Sequence, residues 1–184
     1  VSPITITATG SDATSGVAST LLSIDGGMTW QPSLTLNEGV YNAAVSVADY
    51  AGNVSSSTTT LSVDTTTPSI NMSVAGTLGH NGWYKSAIQV SALASDATSG
   101  VAKFEVSADG AAYQSYMPIS FNDGPHTVRF KAVDAAGNVT ETASQAFYVD
   151  TLAPTVNLPS SWQLGTNVPY DVWDEGRCLA AVRI

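Results

Sequence analysis

Residues Asp12-Ala13-Thr14-Ser15-Gly16-Val17-Ala18 return letter for letter 84 positions later as Asp96-Ala97-Thr98-Ser99-Gly100-Val101-Ala102. Two more stretches follow at almost the same interval. Asp49-Tyr50-Ala51-Gly52-Asn53-Val54 matches Asp134-Ala135-Ala136-Gly137-Asn138-Val139, and Val63-Asp64-Thr65-Thr66-Thr67-Pro68 matches Val149-Asp150-Thr151-Leu152-Ala153-Pro154. A chain that repeats itself in this way builds one structural unit more than once, so its fold has to be a tandem array. A third copy starts after Pro154: Trp162 to Asp174 resembles Trp83 to Asp96, and Leu179 to Ile184 aligns with Val101 to Val106. The repeat predicts three segments: 1–67, lacking a first strand; 68–153, complete; and 154–184, holding only the opening strands.

Within each copy the apolar residues alternate with a period of two, the signature of half-buried strands. Ile4, Ile6 and Ala8 are matched by Ile88, Val90 and Ala92, which assigns strand B. Leu22 and Ile24 are matched by Val106 and Ala108 in strand C. Ala43, Val45 and Val47 correspond to Val128, Phe130 and Ala132 in strand F, and Leu61 and Val63 to Phe147 and Val149 in strand G. Turn residues such as Asp25-Gly26-Gly27 and Asp109-Gly110 separate these runs. Of the acids 11 are Asp and only 4 Glu, which suits turns and oxygen-ligand sites rather than helices. The fold class is therefore all-β. About seven short strands in some 85 residues fit a two-sheet sandwich better than a propeller blade or solenoid turn, whose repeats are shorter.

The motifs Asp-x-x-Ser-Gly-Val, Asp-x-Ala-Gly-Asn and Val-Asp-Thr-x-x-Pro, at these spacings, resemble the bacterial immunoglobulin-like domains that occur in tandem in surface adhesins, biofilm proteins and large secreted enzymes. The resemblance covers almost the whole chain and implies tandem immunoglobulin-like or fibronectin-III-like β-sandwiches at the bacterial cell surface. It departs at Arg177-Cys178, which stands where the first two copies have Ser-Gly. The Cys-Trp-Cys core of antibody domains is absent, for Cys178 is the single cysteine, and no intramolecular disulfide can form.

The net charge of −9 repels nucleic acid and anionic membranes alike, and no apolar run of about 18 residues offers a membrane span. In a sandwich of this kind the loops after strands B and F share the pole that faces the preceding domain. Asp96 and Asp134 should therefore meet there, with Asp64 entering on the linker and Asn138 beside them. Three carboxylates with nearby carbonyl oxygens suit calcium at the joint between domains. The resemblance points the same way, because some adhesin repeats stiffen their joints with this ion. The alternative is that each aspartate only caps its own turn by accepting backbone hydrogen bonds.

Other features weigh less. Asn53, Asn71 and Asn138 open glycosylation triplets, but two of them belong to the Gly-Asn turn. His80 and His126 lack a second histidine at ligand spacing. Trp30, Trp83, Trp162 and Trp173 would make a sugar platform only if exposed and coplanar. The acids recur at turn positions in each copy, whereas an active site needs an asymmetric constellation, so no enzyme is expected. The expected function is a structural or adhesive stalk module, outside the cell, whose partners are neighbouring domains of the same chain or of adjacent subunits, with surface glycans or proteins as further partners. An accessory module of a secreted hydrolase, and a filament subunit completed by strand exchange, are the alternatives.

Overall fold

The structure is a computed structural model, and it describes residues 3–157 together with the backbone of 171–173. Among the described residues every regular element is a strand. The first copy supplies β1 (Ile4–Thr7), β2 (Val17–Ser23), β3 (Ser33–Leu36), β4 (Gly39–Asp49) and β5 (Val54–Val63). The second supplies β6 (Ser69–Ala75), β7 (Trp83–Tyr84), β8 (Ile88–Ser95), β9 (Val101–Ala108), β10 (Gln114–Ser115), β11 (Ile119–Phe121), β12 (Gly124–Asp134), β13 (Val139–Glu141) and β14 (Gln145–Val149). Beyond the linker, β15 (Thr155–Asn157) pairs antiparallel with β16 (Asp171–Trp173). The rest of the expected third copy lies outside the described residues.

In the first copy β1 pairs with β3 in one sheet, and β2, β4 and β5 form the other. Cross-strand pairs such as Ile6 with Leu34 put apolar side chains on one face. That face, which also carries Leu36, meets Leu22 and Val63, and the core is filled out by Ala8, Ile24, Tyr41, Val45 and Leu61. The second copy repeats the plan with more strands. One sheet runs β11-β8-β6; the other runs β10-β9-β12-β14-β7, with β13 also on β12. Ile88, Val90, Val106, Val128, Phe130, Phe147 and Val149 are buried together, as the alternation predicted, and Phe121 joins them from β11 with Phe104 half-buried beside them. Phe104, Tyr116 and Phe130 form a ring cluster with centroids 4.4 to 6.1 Å apart. The Tyr116 hydroxyl also accepts the Ala92 N–H at 2.8 Å, tying β8 to this cluster.

One expected core residue differs between copies. Ile88 is 1% exposed, whereas its counterpart Ile4 is 42% exposed. In the second copy β6 lies against β8 and sends Ile70 and Val74 into the core. Among the described residues β1 has a neighbour only on its β3 side, so Ile4 lacks the cover that β6 gives Ile88.

The chain divides into two compact units. The first comprises residues up to Ser69 together with Ser95–Ala102 and Val133–Thr140; the second takes Ile70–Ala94, Lys103–Ala132 and the residues from Glu141 onward. The loops after β8 and β12 thus belong with the first copy and its linker, although their sequence belongs to the second repeat.

Candidate metal centre

The loop after β8 is built by Asp96. Its Oδ1 accepts the backbone N–H groups of Thr98, Ser99 and Gly100 at 3.1, 2.9 and 2.9 Å. The chain then turns through Gly100 at φ +78°, a conformation that glycine adopts without a Cβ penalty. The loop after β12 is built by Asp134 in the same manner. Its Oδ1 accepts the Asn138 N–H and its Oδ2 the Asn138 side-chain amide, both at 2.8 Å. The Ala135 N–H donates to the Gly100 carbonyl at 3.0 Å and joins the two loops.

The linker after β5 is gripped by these loops. Asp64 Oδ2 accepts the Ser99 N–H at 3.0 Å, and Asp64 O accepts the Asn138 amide at 3.2 Å. Farther along, the Thr140 hydroxyl donates to the Pro68 carbonyl at 2.5 Å. One carboxylate oxygen from each of Asp64, Asp96 and Asp134 lies within 4.8 Å of the others. Oxygens sharing a calcium ion at roughly 2.3–2.6 Å can be no more than about 5 Å apart, so this spacing fits. Asp134 is 2% exposed. Burial pushes its carboxyl pKa up, but the Asn138 side chain and the N–H groups of Asn138, Gly137 and Ala136 outweigh it and hold the group below its ordinary value. Asp96 Oδ2 is buried with no hydrogen-bond partner, as is the neighbouring Ser99 hydroxyl oxygen. An unpartnered carboxylate oxygen among like charges is costly unless a cation or water meets it.

All four residues expected at this site are therefore together. Asn138 takes the part of a holder: its amide nitrogen is committed to Asp134 and to the linker carbonyl. Turn-capping is equally real, since Asp12 Oδ1 accepts the Thr14, Ser15 and Gly16 N–H groups in the first copy just as Asp96 does in the second. Capping uses Oδ1 of Asp96 and leaves Oδ2 for another partner.

Sequence reasoning missed Glu38. Its carboxylate accepts the Thr98 hydroxyl at 2.5 Å and also the Thr66 hydroxyl, bridging the linker and the loop after β8. The hydroxyl of Thr66 and then that of Thr98 hold the Glu38 carboxyl below its ordinary value, against desolvation and the like charge of Asp64, both of which push it up. A signal was present: Glu38-Gly39 is matched by Asp123-Gly124, and Asp123 accepts both the N–H and the hydroxyl of Thr151 on the next linker.

The lesser candidates are absorbed by packing. Asn53 gives its amide to Asp49 at 2.7 Å, a turn role like that of Asn138, while Asn71 is exposed on β6. His80 closes a turn through its carbonyl, which accepts the Trp83 N–H. His126 stacks on Phe121 at 4.3 Å and places its ring nitrogens against Asp109 and the Asn122 carbonyl. Trp83 packs on Tyr148 at 5.4 Å, and Trp30 lies over Gly27. Trp162 lies outside the described residues, as does the side chain of Trp173.

Comparison with protein families agrees with this architecture. Two family profiles match, each described as a bacterial Ig-like domain, one over residues 2–65 and the other over residues 84–151. Among solved structures, the fibronectin(III)-like modules of Clostridium thermocellum CbhA are similar, with 18% identity, a TM-score of 0.45, and coverage of 80% of this chain and 85% of that one. No curated protein matches. Among the described residues no helix is long and apolar enough to cross a membrane. The chain is all-β and belongs to the bacterial Ig-like domains, carrying one at residues 2–65 and a second at residues 84–151.

Proposed function

We propose that this chain is a non-catalytic stalk segment of an extracellular bacterial surface protein, and that calcium held by Asp64, Asp96 and Asp134 fixes its linker. The observation that carries the reading is the approach of three carboxylate oxygens within 4.8 Å, with Asp96 Oδ2 buried and unpartnered. The three ligands come from the linker after β5, the loop after β8 and the loop after β12. An ion bound to all three would restrain the linker more strongly than hydrogen bonds alone. Asn138 and Glu38 would hold those segments in place, and the ion would supply the charge that three adjacent carboxylates lack. An extracellular setting supports the reading, because sites of extracellular modules commonly bind calcium at about 10⁻⁴–10⁻³ M.

Differential scanning calorimetry in calcium and in chelator tests it. Binding to the folded form alone stabilises by about 2.7 kcal/mol at a hundredfold excess over Kd, so calcium should raise the melting temperature by several degrees. Asp96→Asn, which keeps the Oδ1 acceptor but removes the charge, should abolish that increment. Superimposable melting curves with and without calcium would overturn the reading.

A further inference from the structure

We infer that the end of the first sandwich formed by residues 12–16 and 49–55 is a docking surface for the aspartate-bearing linker of another sandwich domain, an extended Val-Asp-Thr-x-x-Pro segment. The inference rests on reading the chain as one of several tandem sandwiches. Its basis is that the chain already shows the matching surface in use. Around the linker 64–68 three donors do the gripping: the Ser99 N–H on the Asp64 carboxylate, the Asn138 amide on the Asp64 carbonyl, and the Thr140 hydroxyl on the Pro68 carbonyl.

Every one of these donors has a counterpart in the first copy. By the repeat alignment Ser15 stands for Ser99, Asn53 for Asn138 and Ser55 for Thr140. The supporting geometry is also preformed. Ser15 N–H donates to Asp12 Oδ1 at 2.7 Å as Ser99 N–H does to Asp96 at 2.9 Å. Asn53 donates to Asp49 at 2.7 Å as Asn138 does to Asp134 at 2.8 Å. The Tyr50 N–H joins the two loops through the Gly16 carbonyl at 3.1 Å, as Ala135 does through Gly100 at 3.0 Å. What differs is cover. Asn138 and Thr140 are half-buried, while Asn53 and Ser55 are exposed. Asp134 is 2% exposed, while Asp49 is only half-buried. Tyr50 and Val54, 75% and 68% exposed, flank the open surface. Among the described residues Asn53 makes no bond beyond Asp49, and the Ser55 hydroxyl makes none.

The occupant follows from the donors. They are spaced to take one carboxylate and two backbone carbonyls of an extended segment four residues apart, which is what Asp64 to Pro68 presents. On a covalent tether such a contact needs only modest intrinsic strength, because effective concentrations of short linkers are about millimolar.

The test is an NMR titration of the isotope-labelled 184-residue chain with a synthetic peptide of residues 60–70, run once in calcium and once in chelator. Saturable shifts of the Ser15 amide, the Asn53 side-chain amide and Ser55 at millimolar peptide are expected. They should weaken several-fold with a peptide carrying Asp64→Asn, and with the chain carrying Ser55→Ala, a surface change that leaves the fold intact. Absence of shifts in residues 12–16 and 49–55 in both buffers, or shifts indifferent to Asp64→Asn, would overturn the inference. The calcium reading is judged separately, by shifts at Asp64, Asp96 and Asp134 when calcium is added without peptide, so either idea can fail alone.

Discussion

Asp12, Asp49 and Glu38 are held ionised by local donors, and that gives stability a definite pH dependence. The Gly16, Thr14 and Ser15 N–H groups lower the Asp12 pKa, the Asn53 side chain that of Asp49, and the Thr66 hydroxyl that of Glu38. A carboxyl whose pKa is lower folded than unfolded stabilises the fold above its unfolded value, and that contribution is lost as the pH falls through the folded one. The melting temperature should therefore hold near neutrality and drop as the pH falls below about 4, the ordinary carboxyl range. A profile that stays flat through that range would contradict the assigned hydrogen bonds. Core residues follow simpler rules. Phe130 is 2% exposed within the ring cluster, so Phe130→Ala should cost about 3–5 kcal/mol in urea unfolding. A loss under about 1 kcal/mol would mean that the strand register is wrong.

At the level of elements, the two copies act as a natural comparison of the same strand with and without a neighbour. β8 lies between β11 and β6, and its Ile88 is sealed; among the described residues β1 pairs with β3 alone, and Ile4 at the matched position is half-exposed. Truncation should read out that difference. Ile88→Ala should cost about 2–5 kcal/mol, as buried isoleucines do, and Ile4→Ala under about 1 kcal/mol, because little apolar contact is lost there. Equal losses measured by chemical denaturation would show that β1 is covered in solution. The alternation of apolar residues marked both strands equally, since period-two patterning reports which face points inward and is silent on whether an edge is paired.

Across the whole molecule, Glu38 couples distant sequence, joining Thr66 to one oxygen and Thr98 to the other oxygen of one carboxylate. Glu38→Ala should speed amide exchange at Thr98, Ser99 and Gly100 while leaving the amides of β4 and β5 protected; exchange unchanged at those three positions would remove Glu38 from this role. Strands B, C, F and G, their inward faces, the turns and the fold family are legible in the sequence alone, because these depend on local periodicity and turn chemistry repeated at a fixed interval. The sequence also brought Asp64, Asp96 and Asp134 to one end of a sandwich, because strand order alone dictates which loops are neighbours. What those acids do there follows from how the chain packs. An aspartate that caps a turn and one that caps a turn while offering a second oxygen are identical in sequence, and Asp96 is told apart by the burial of Oδ2. Glu38 escaped for the same reason: its partners lie 28 and 60 residues away, and contacts at such separation follow from how the chain packs rather than from any local pattern.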